Sequence, residues 1–287
     1  MSVLSSSDPR DRRRHRTDRI MTALAAASVV VALVPLAAVL FYVAFKGAAA
    51  WNKEFFTGLP TLFGSGGGVA NGIVGTLITV ALASIIGIPI GVMAGIYLSE
   101  YGTGRLGSLI RFVADTMTGI PSIVAGIFIY GLVVLNTGGY SGFAGALSLA
   151  ILMIPVIARS TEGVVRLVPD SIREASLGLG IPRWKTIVRV VVPSALNGIV
   201  TGVLLSVARV AGETAPLLFT AFGSDYFNLN PFKGPMPELP LQVYNAARSA
   251  YQGVIQVGWG AALLLVLMVL VANLLARLAF RSPGGGR

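Results

Sequence analysis

From Phe55 to Ser99 the chain runs for 45 residues without one charged side chain, and two further uncharged runs, Ile20–Phe45 and Ser249–Ala276, lie on either side of it. Each is longer than the roughly 20 apolar residues that carry a helix across a bilayer. Helices are implied, because unpaired backbone N–H and C=O groups cannot face lipid. Only 12% of the residues are charged, about half the share of a soluble domain. The expected fold class is therefore all-α integral membrane.

Six spans are predicted: Ile20–Phe45, Val69–Leu98, Phe112–Leu135, Gly142–Ala158 (the shortest), Ser194–Phe222 and Val254–Ala276. Six arginines crowd the first 19 residues, and placing that tail in the cytoplasm also places 99–111, 159–193 and the C-terminal segment there. That side then carries seventeen of the 22 Lys and Arg residues. Such asymmetry puts both termini inside, and it explains the net charge of +10 by topology rather than by nucleic-acid binding. The first run, with 26 uncharged residues, exceeds the roughly 7–15 of a signal-peptide core and reads as an uncleaved anchor. The expected organisation is a basic tail (1–19), a first span with its outside loop (20–68), a permease-like body (69–276) and a second tail (277–287).

Several chemistries are excluded. There is no cysteine, and the single histidine, His15, lies in the basic tail. Cys-based metal sites and His-base catalysis are therefore left out, and no cofactor or metal is expected. The run GTGRLG (Gly102–Gly107) matches a dinucleotide fingerprint by letter only, with no strand before it, and no phosphate-binding P-loop sequence occurs. Any energy must come from another subunit or from an ion gradient.

The stretch REASLGLGIPRWKTIVRVVVP (Arg173–Pro193) holds five charged residues between apolar runs. Helix-start chemistry at Pro169–Ser171, glycines at 178 and 180, and Pro182 predict two short helices joined by a tight bend, running into the fifth span at about Pro193. Alone, this reads equally as an amphipathic connector in the headgroups. Its spacing does more: Glu174-Ala175-Ser176, Gly180, then Val190, Val192 and Pro193 resemble the EAA loop of ATP-binding-cassette import permeases, with Ser176 in place of the second alanine and two valines in place of Ile and Leu.

Four further runs, GIVGTLITVALASIIGIPIGVMAGIYLSEYG (Gly72–Gly102), GIPSIVAGIFIYG (Gly119–Gly131), ARVAGETAPLLFTA (Ala208–Ala221) and MPELPLQVYNAA (Met236–Ala247), look like the PstA family of phosphate-import permeases from about residue 70 to 275. That resemblance implies a non-catalytic, six-helix subunit with a cytoplasmic coupling hairpin. Its Glu174, Ala175, Ser176, Gly180 and Pro182 would contact an ATPase dimer of PstB type. It also implies a sister permease of PstC type and an outside phosphate-binding protein of PstS type.

Within the fifth predicted span, Arg209 and Glu213 stand four residues apart. On one helix, Gly202, Ser206, Arg209, Glu213, Pro216 and Thr220 fall within roughly 80° of each other, and Arg209 sits on the order of 24 Å from Pro193. A guanidinium stays charged and offers a planar fork to an oxyanion. Arg209, with Ser206 and Thr220 beside it and Glu213 moderating its charge, reads as an anion path, against the alternative of a structural ion pair. Sulfate or molybdate in place of phosphate, and an ion-driven secondary transporter, remain as alternatives. A phosphatase would need a nucleophile beside a base, and no membrane His or Cys is present.

Three smaller expectations remain. Ala83, Gly87, Gly91 and Gly95 allow close helix packing, within the chain or with a second permease. Arg111 and Asp115 read as a helix-end ion pair. Pro89, Pro121, Pro155 and Pro216 mark kinks, and the proline-rich segment Gly223–Gly253 reads as an irregular connection or as a lid or docking surface.

Overall fold

The uncharged runs fold as helices. The computed structural model, which describes residues 9–61 and 66–279, places α1 over Pro9–Ala48, a short α2 over Lys53–Thr57 and α3 over Ala70–Glu100. There follow α4 (Arg105–Gly119) and α5 (Ser122–Thr137), α6 (Gly142–Arg166), α7 (Asp170–Gly178) and α8 (Arg183–Ala211), then α9 (Ala215–Thr220), α10 (Leu239–Ala247) and α11 (Gln252–Ala279). Five of these are long and apolar enough to cross a membrane, or six if the bent pair α4 and α5 counts as one span. Among the described residues the only β pairing is three isolated bridges. The first eight residues of the predicted basic tail, and the C-terminal tail from Phe280 on, lie outside the described residues.

The centre is the α3–α6 pair, and glycine decides its closeness. A Cβ at Gly91 would stand 2.8 Å from the Ile157 Cβ, and one at Gly95 would stand 2.5 Å from the Thr161 Cβ and 2.6 Å from the Ala158 carbonyl oxygen. The small-residue repeat therefore packs within the chain. Ala83, Leu149, Met153 and Ile157 are buried along this seam and share one core with Val210, Leu217, Met236 and Leu241. A second core joins Ala50 and Phe55 to Leu239 and Ala261. It is tied by Asn52, which caps α2 by accepting from the Phe55 N–H at 2.8 Å, and by the Trp51 indole N–H, which donates to the Gly260 carbonyl at 3.2 Å. By contrast α1 is exposed from Arg13 to Tyr42 and meets α11 near its end, at Tyr42 against Trp259 and Gly47 against Leu263. Its apolar surface is of the kind that lipid solvates.

Three predicted spans differ in outline. The third, Phe112–Leu135, is not one helix: α4 and α5 meet at Ile120–Pro121 with a bend of 105°, because proline lacks an N–H and holds its predecessor extended. The fourth continues past Ala158 to Arg166, since its last two turns bury Thr161, Glu162 and Val165. The fifth begins earlier and ends earlier than expected. The second hairpin helix and the span are the single helix α8, which passes Pro193 through a π turn at Ile187–Val191 and stops at Ala211. Pro89 and Pro155 stay inside continuous helices, and Pro216 sits in the first turn of α9. The proline-rich outer segment is partly regular, for Pro240 occupies the first turn of α10.

Candidate functional site

The hairpin α7–α8 is built by its bend. At the end of α7 the Gly180 N–H donates to the Leu177 carbonyl at 2.9 Å and the Ile181 N–H to the Ser176 carbonyl at 3.3 Å, the pair of bonds that closes a helix through a left-handed residue. Gly180 takes φ +75°, and a Cβ there would meet nothing within 4 Å. The glycine is required by backbone conformation, not by space. Pro182 then caps α8 from the preceding position. Glu174 and Ala175 point outward, whereas Ser176 is buried and its hydroxyl lies 2.9 Å from that of Thr186. Ser176 thus ties the two helices of the hairpin together instead of facing outward beside Ala175. Around the outward face Leu177, Leu179 and Trp184 are 46%, 80% and 60% exposed.

A set of ion pairs fixes this hairpin to the end of α3. Arg173 donates to the Glu100 carboxylate at 2.9 Å, to the Val165 carbonyl at 3.0 Å, and also to the Val168 carbonyl. Arg183 donates to the Glu100 carbonyl and covers the Tyr101 ring at 4.6 Å. Beside it, the buried Glu162 carboxylate receives Arg111 at 2.6 Å, Arg159 at 2.6 Å and Arg166 at 2.7 Å. Arg111 is therefore not paired with Asp115 as expected. It turns to Glu162 and to the free carbonyls of Leu98 and Gly102 at the end of α3, while Asp115 pairs with Arg159 at 2.9 Å. Charge-assisted bonds to orphan helix-end carbonyls outweigh an exposed pair on the same helix.

Arg209 and Glu213 do not share a helix. The break at Gly212 leaves Arg209 in the last turn of α8 and Glu213 in the link to α9, with 4.0 Å between guanidinium Nε and carboxylate Oε1. The single polar stripe expected from one helical wheel is thereby divided. The Arg209 side chain is 61% exposed and that of Glu213 19%. Gly202 packs on Ser160 of α6, and Ser206 is buried with its hydroxyl unpartnered. Thr220 is fully buried on α9, donating to the Pro216 carbonyl at 2.8 Å. Of the four expected path residues, the structure presents Arg209 most openly, with Glu213 next to it.

The family-like runs meet in space two by two. A Cβ at Gly126 in α5 would stand 2.5 Å from the Pro216 Cα of α9, so GIPSIVAGIF leans directly on GETAPLLF beside the Arg209 break. Likewise the α3 run GIVGTLIT carries Gly72, Thr76 and Thr79 against Gln242, Leu239 and Glu238 of the fourth run. Glu100 and Glu162, which hold the arginines around the hairpin, were not anticipated from the sequence. The available signal was an acid at the end of an apolar run facing several arginines. Glu238, in a proline-rich loop, had none.

Known proteins share this chain's sequence and fold. The model of the family described as "Binding-protein-dependent transport system inner membrane component" matches residues 87–282. The chain is 43% identical over 272 residues to the phosphate transport system permease protein PstA 1 of Mycobacterium tuberculosis (strain CDC 1551 / Oshkosh), over 92% of this chain and 88% of that one. It is 41% identical over 270 residues to the phosphate transport system permease protein PstA of Pasteurella multocida (strain Pm70), over 93% and 95% of the two chains. In fold it is similar to a chain of the MetNI methionine ABC transporter in inward facing conformations, with TM-score 0.64 and 20% identity over 74% of this chain and 94% of that one.

Proposed function

The chain belongs to the binding-protein-dependent family of inner-membrane transport components and, within it, to the PstA-type permeases, and from that premise we propose how its own residues act. It is a non-catalytic, multi-pass permease subunit of an ATP-binding-cassette importer that works with an ATPase and a binding protein. Inorganic phosphate is the solute. Arg209 receives it, and Glu213, 4.0 Å away, limits how tightly it is held, so that the anion leaves again. The arginine-rich end is cytoplasmic, both termini lie there, and residues 69–276 form the permease domain.

The hairpin transmits the motion. Glu174, Ala175 and the exposed Leu177, Leu179 and Trp184 seat in a PstB-type ATPase dimer. Gly180, Pro182 and the Ser176–Thr186 bond keep the hairpin stiff, and Arg173 and Arg183 carry its displacement to α3 through Glu100. Because α8 is continuous from Arg183 to Ala211, a push at the hairpin reaches the Arg209 break without crossing a joint. A PstC-type permease completes the path, and a PstS-type protein delivers phosphate from outside.

The observation that carries the reading is a largely exposed guanidinium in a helix whose remaining described length from Val190 is uncharged. Arg209→Gln should assemble with its partners yet lose uptake of labelled phosphate; uptake at the wild-type rate would remove Arg209 from the path. Which oxyanion stimulates ATP hydrolysis by the assembled complex separates phosphate from sulfate or molybdate, the second reading that a lone arginine also fits.

A further inference from the structure

Away from the ion pairs of Glu100 and Glu162, one carboxyl is buried with two hydroxyls beside it. Glu238 is 1% exposed. The Thr79 hydroxyl of α3 bonds its Oε1 at 2.5 Å, and the Thr76 hydroxyl, which accepts from the Leu239 N–H at 2.8 Å, lies within reach. Among the described residues, α3, α6, α9, α10 and α11 offer no counter-charge here. The only charged residue of α3 is Glu100, at its far end; α9 and α10 have none, nor has α11 before Arg277; and Arg159, Glu162 and Arg166 of α6 are occupied at the other end. Lys53 and Glu54 of α2, Arg209 at the end of α8, and Asp225, Lys233, Tyr244 and Arg248 of the outer segment are exposed, Glu213 lies 4.0 Å from Arg209, and Arg248 donates to the Tyr244 hydroxyl; none of them bonds Glu238.

The chain that carries Glu238 lies directly on the α3 backbone. A Cβ at Gly75 would stand 1.7 Å from the Pro237 carbonyl oxygen, and one at Gly72 would stand 2.3 Å from the Gln242 amide oxygen. Polar bonds hold both flanks: the Met236 N–H to the Ala221 carbonyl at 3.0 Å, and the Gln242 amide to the Asn71 side chain at 2.9 Å. Glu238 is the central contact of this seat and the only ionisable one.

We propose that Glu238 is a proton-binding site: a proton on its carboxyl keeps the segment Met236–Ala247 seated on α3, with the Thr79 hydroxyl donating to the same group, and loss of that proton unseats the segment from the outer end of the helix. An ionised carboxylate has two hydroxyls and no cation to replace its water, so the seated form must hold the group neutral. Burial does so, pushing the carboxyl from 4.5 up to about 8 against the opposing hydrogen bonds from Thr79 and Thr76. An unseated, hydrated carboxyl returns to its ordinary value. The seated form is therefore fully favoured below about pH 4.5, loses about tenfold in relative population per pH unit between there and 8, and changes little above.

The test is hydrogen–deuterium exchange of the Leu239–Ala247 amides in the full-length chain in lipid nanodiscs, corrected for the intrinsic pH dependence of exchange. Protection should fall about fiftyfold between pH 6 and pH 8 and level off above. In Glu238→Gln, which keeps shape and acceptor, it should be flat. A wild-type profile without a slope overturns the proposal by itself, even if the variant fails to insert. A slope that persists in Glu238→Gln assigns the proton elsewhere and overturns it too. Because the readout is local and needs neither phosphate nor ATPase, it stands or falls separately from the transport reading.

Discussion

Gly180 offers a perturbation whose size can be worked from geometry alone. Its φ of +75° lies in the left-handed region, and the space around a Cβ is empty to 4 Å, so replacing it adds backbone strain and no clash within the chain. For an ordinary L-residue that strain is about 1–2 kcal/mol, and asparagine tolerates the region better. One to two kcal/mol corresponds to a factor of about 5–30 in the ratio of bent to unbent hairpin. If the ATPase grips only the bent form, Gly180→Ala should weaken its binding by up to that factor and Gly180→Asn by less. The assay is a titration of purified ATPase onto the permease in detergent, read as the concentration retaining half of the complex. Wild-type affinity for Gly180→Ala would refute the argument. Asparagine worse than alanine would refute it as well, since side-chain bulk against the partner, and not the turn, would then decide.

Two other perturbations act on packing and charge. Gly95→Val should lower the stability of the chain by about 1–3 kcal/mol or more, because its side chain would enter the Thr161 Cβ and the Ala158 carbonyl, whereas Gly163→Ala on the same seam's outer side, with nothing within 4 Å, should raise it by up to about 1 kcal/mol through helix propensity; thermal unfolding in detergent measures both. Arg173→Gln leaves Glu100 buried without its partner, at about 3–5 kcal/mol, and should make the hairpin sensitive to limited proteolysis, with Glu100→Gln in the same chain restoring part of the resistance; equal sensitivity of single and double variants would deny the coupling.

Apolar length and charge placement were readable without coordinates because a bilayer leaves a backbone few choices. The helical class, the presence of the long apolar spans, the hairpin and its left-handed glycine all follow from local rules that act over a few residues. Arg209 was also visible, since one arginine in an uncharged run costs too much to be incidental.

What only the tertiary structure decided are the events at the helix ends. Whether proline bends a span or merely resides in it differs from one span to another: Pro121 breaks α4 from α5 by 105°, while Pro155 stays inside α6. The choice of Glu162 over Asp115 by Arg111 rests on a residue 51 positions away, the turn of Ser176 into the hairpin on Thr186 across the bend, and the separation of Glu213 and Thr220 from α8 on where a helix stops. Glu238 is the extreme case, for nothing in a proline-rich loop announces that its backbone will lie on Gly75. Local sequence sets which segments become helices; contacts between distant segments, made possible by glycine at the crossings, set which polar groups find partners.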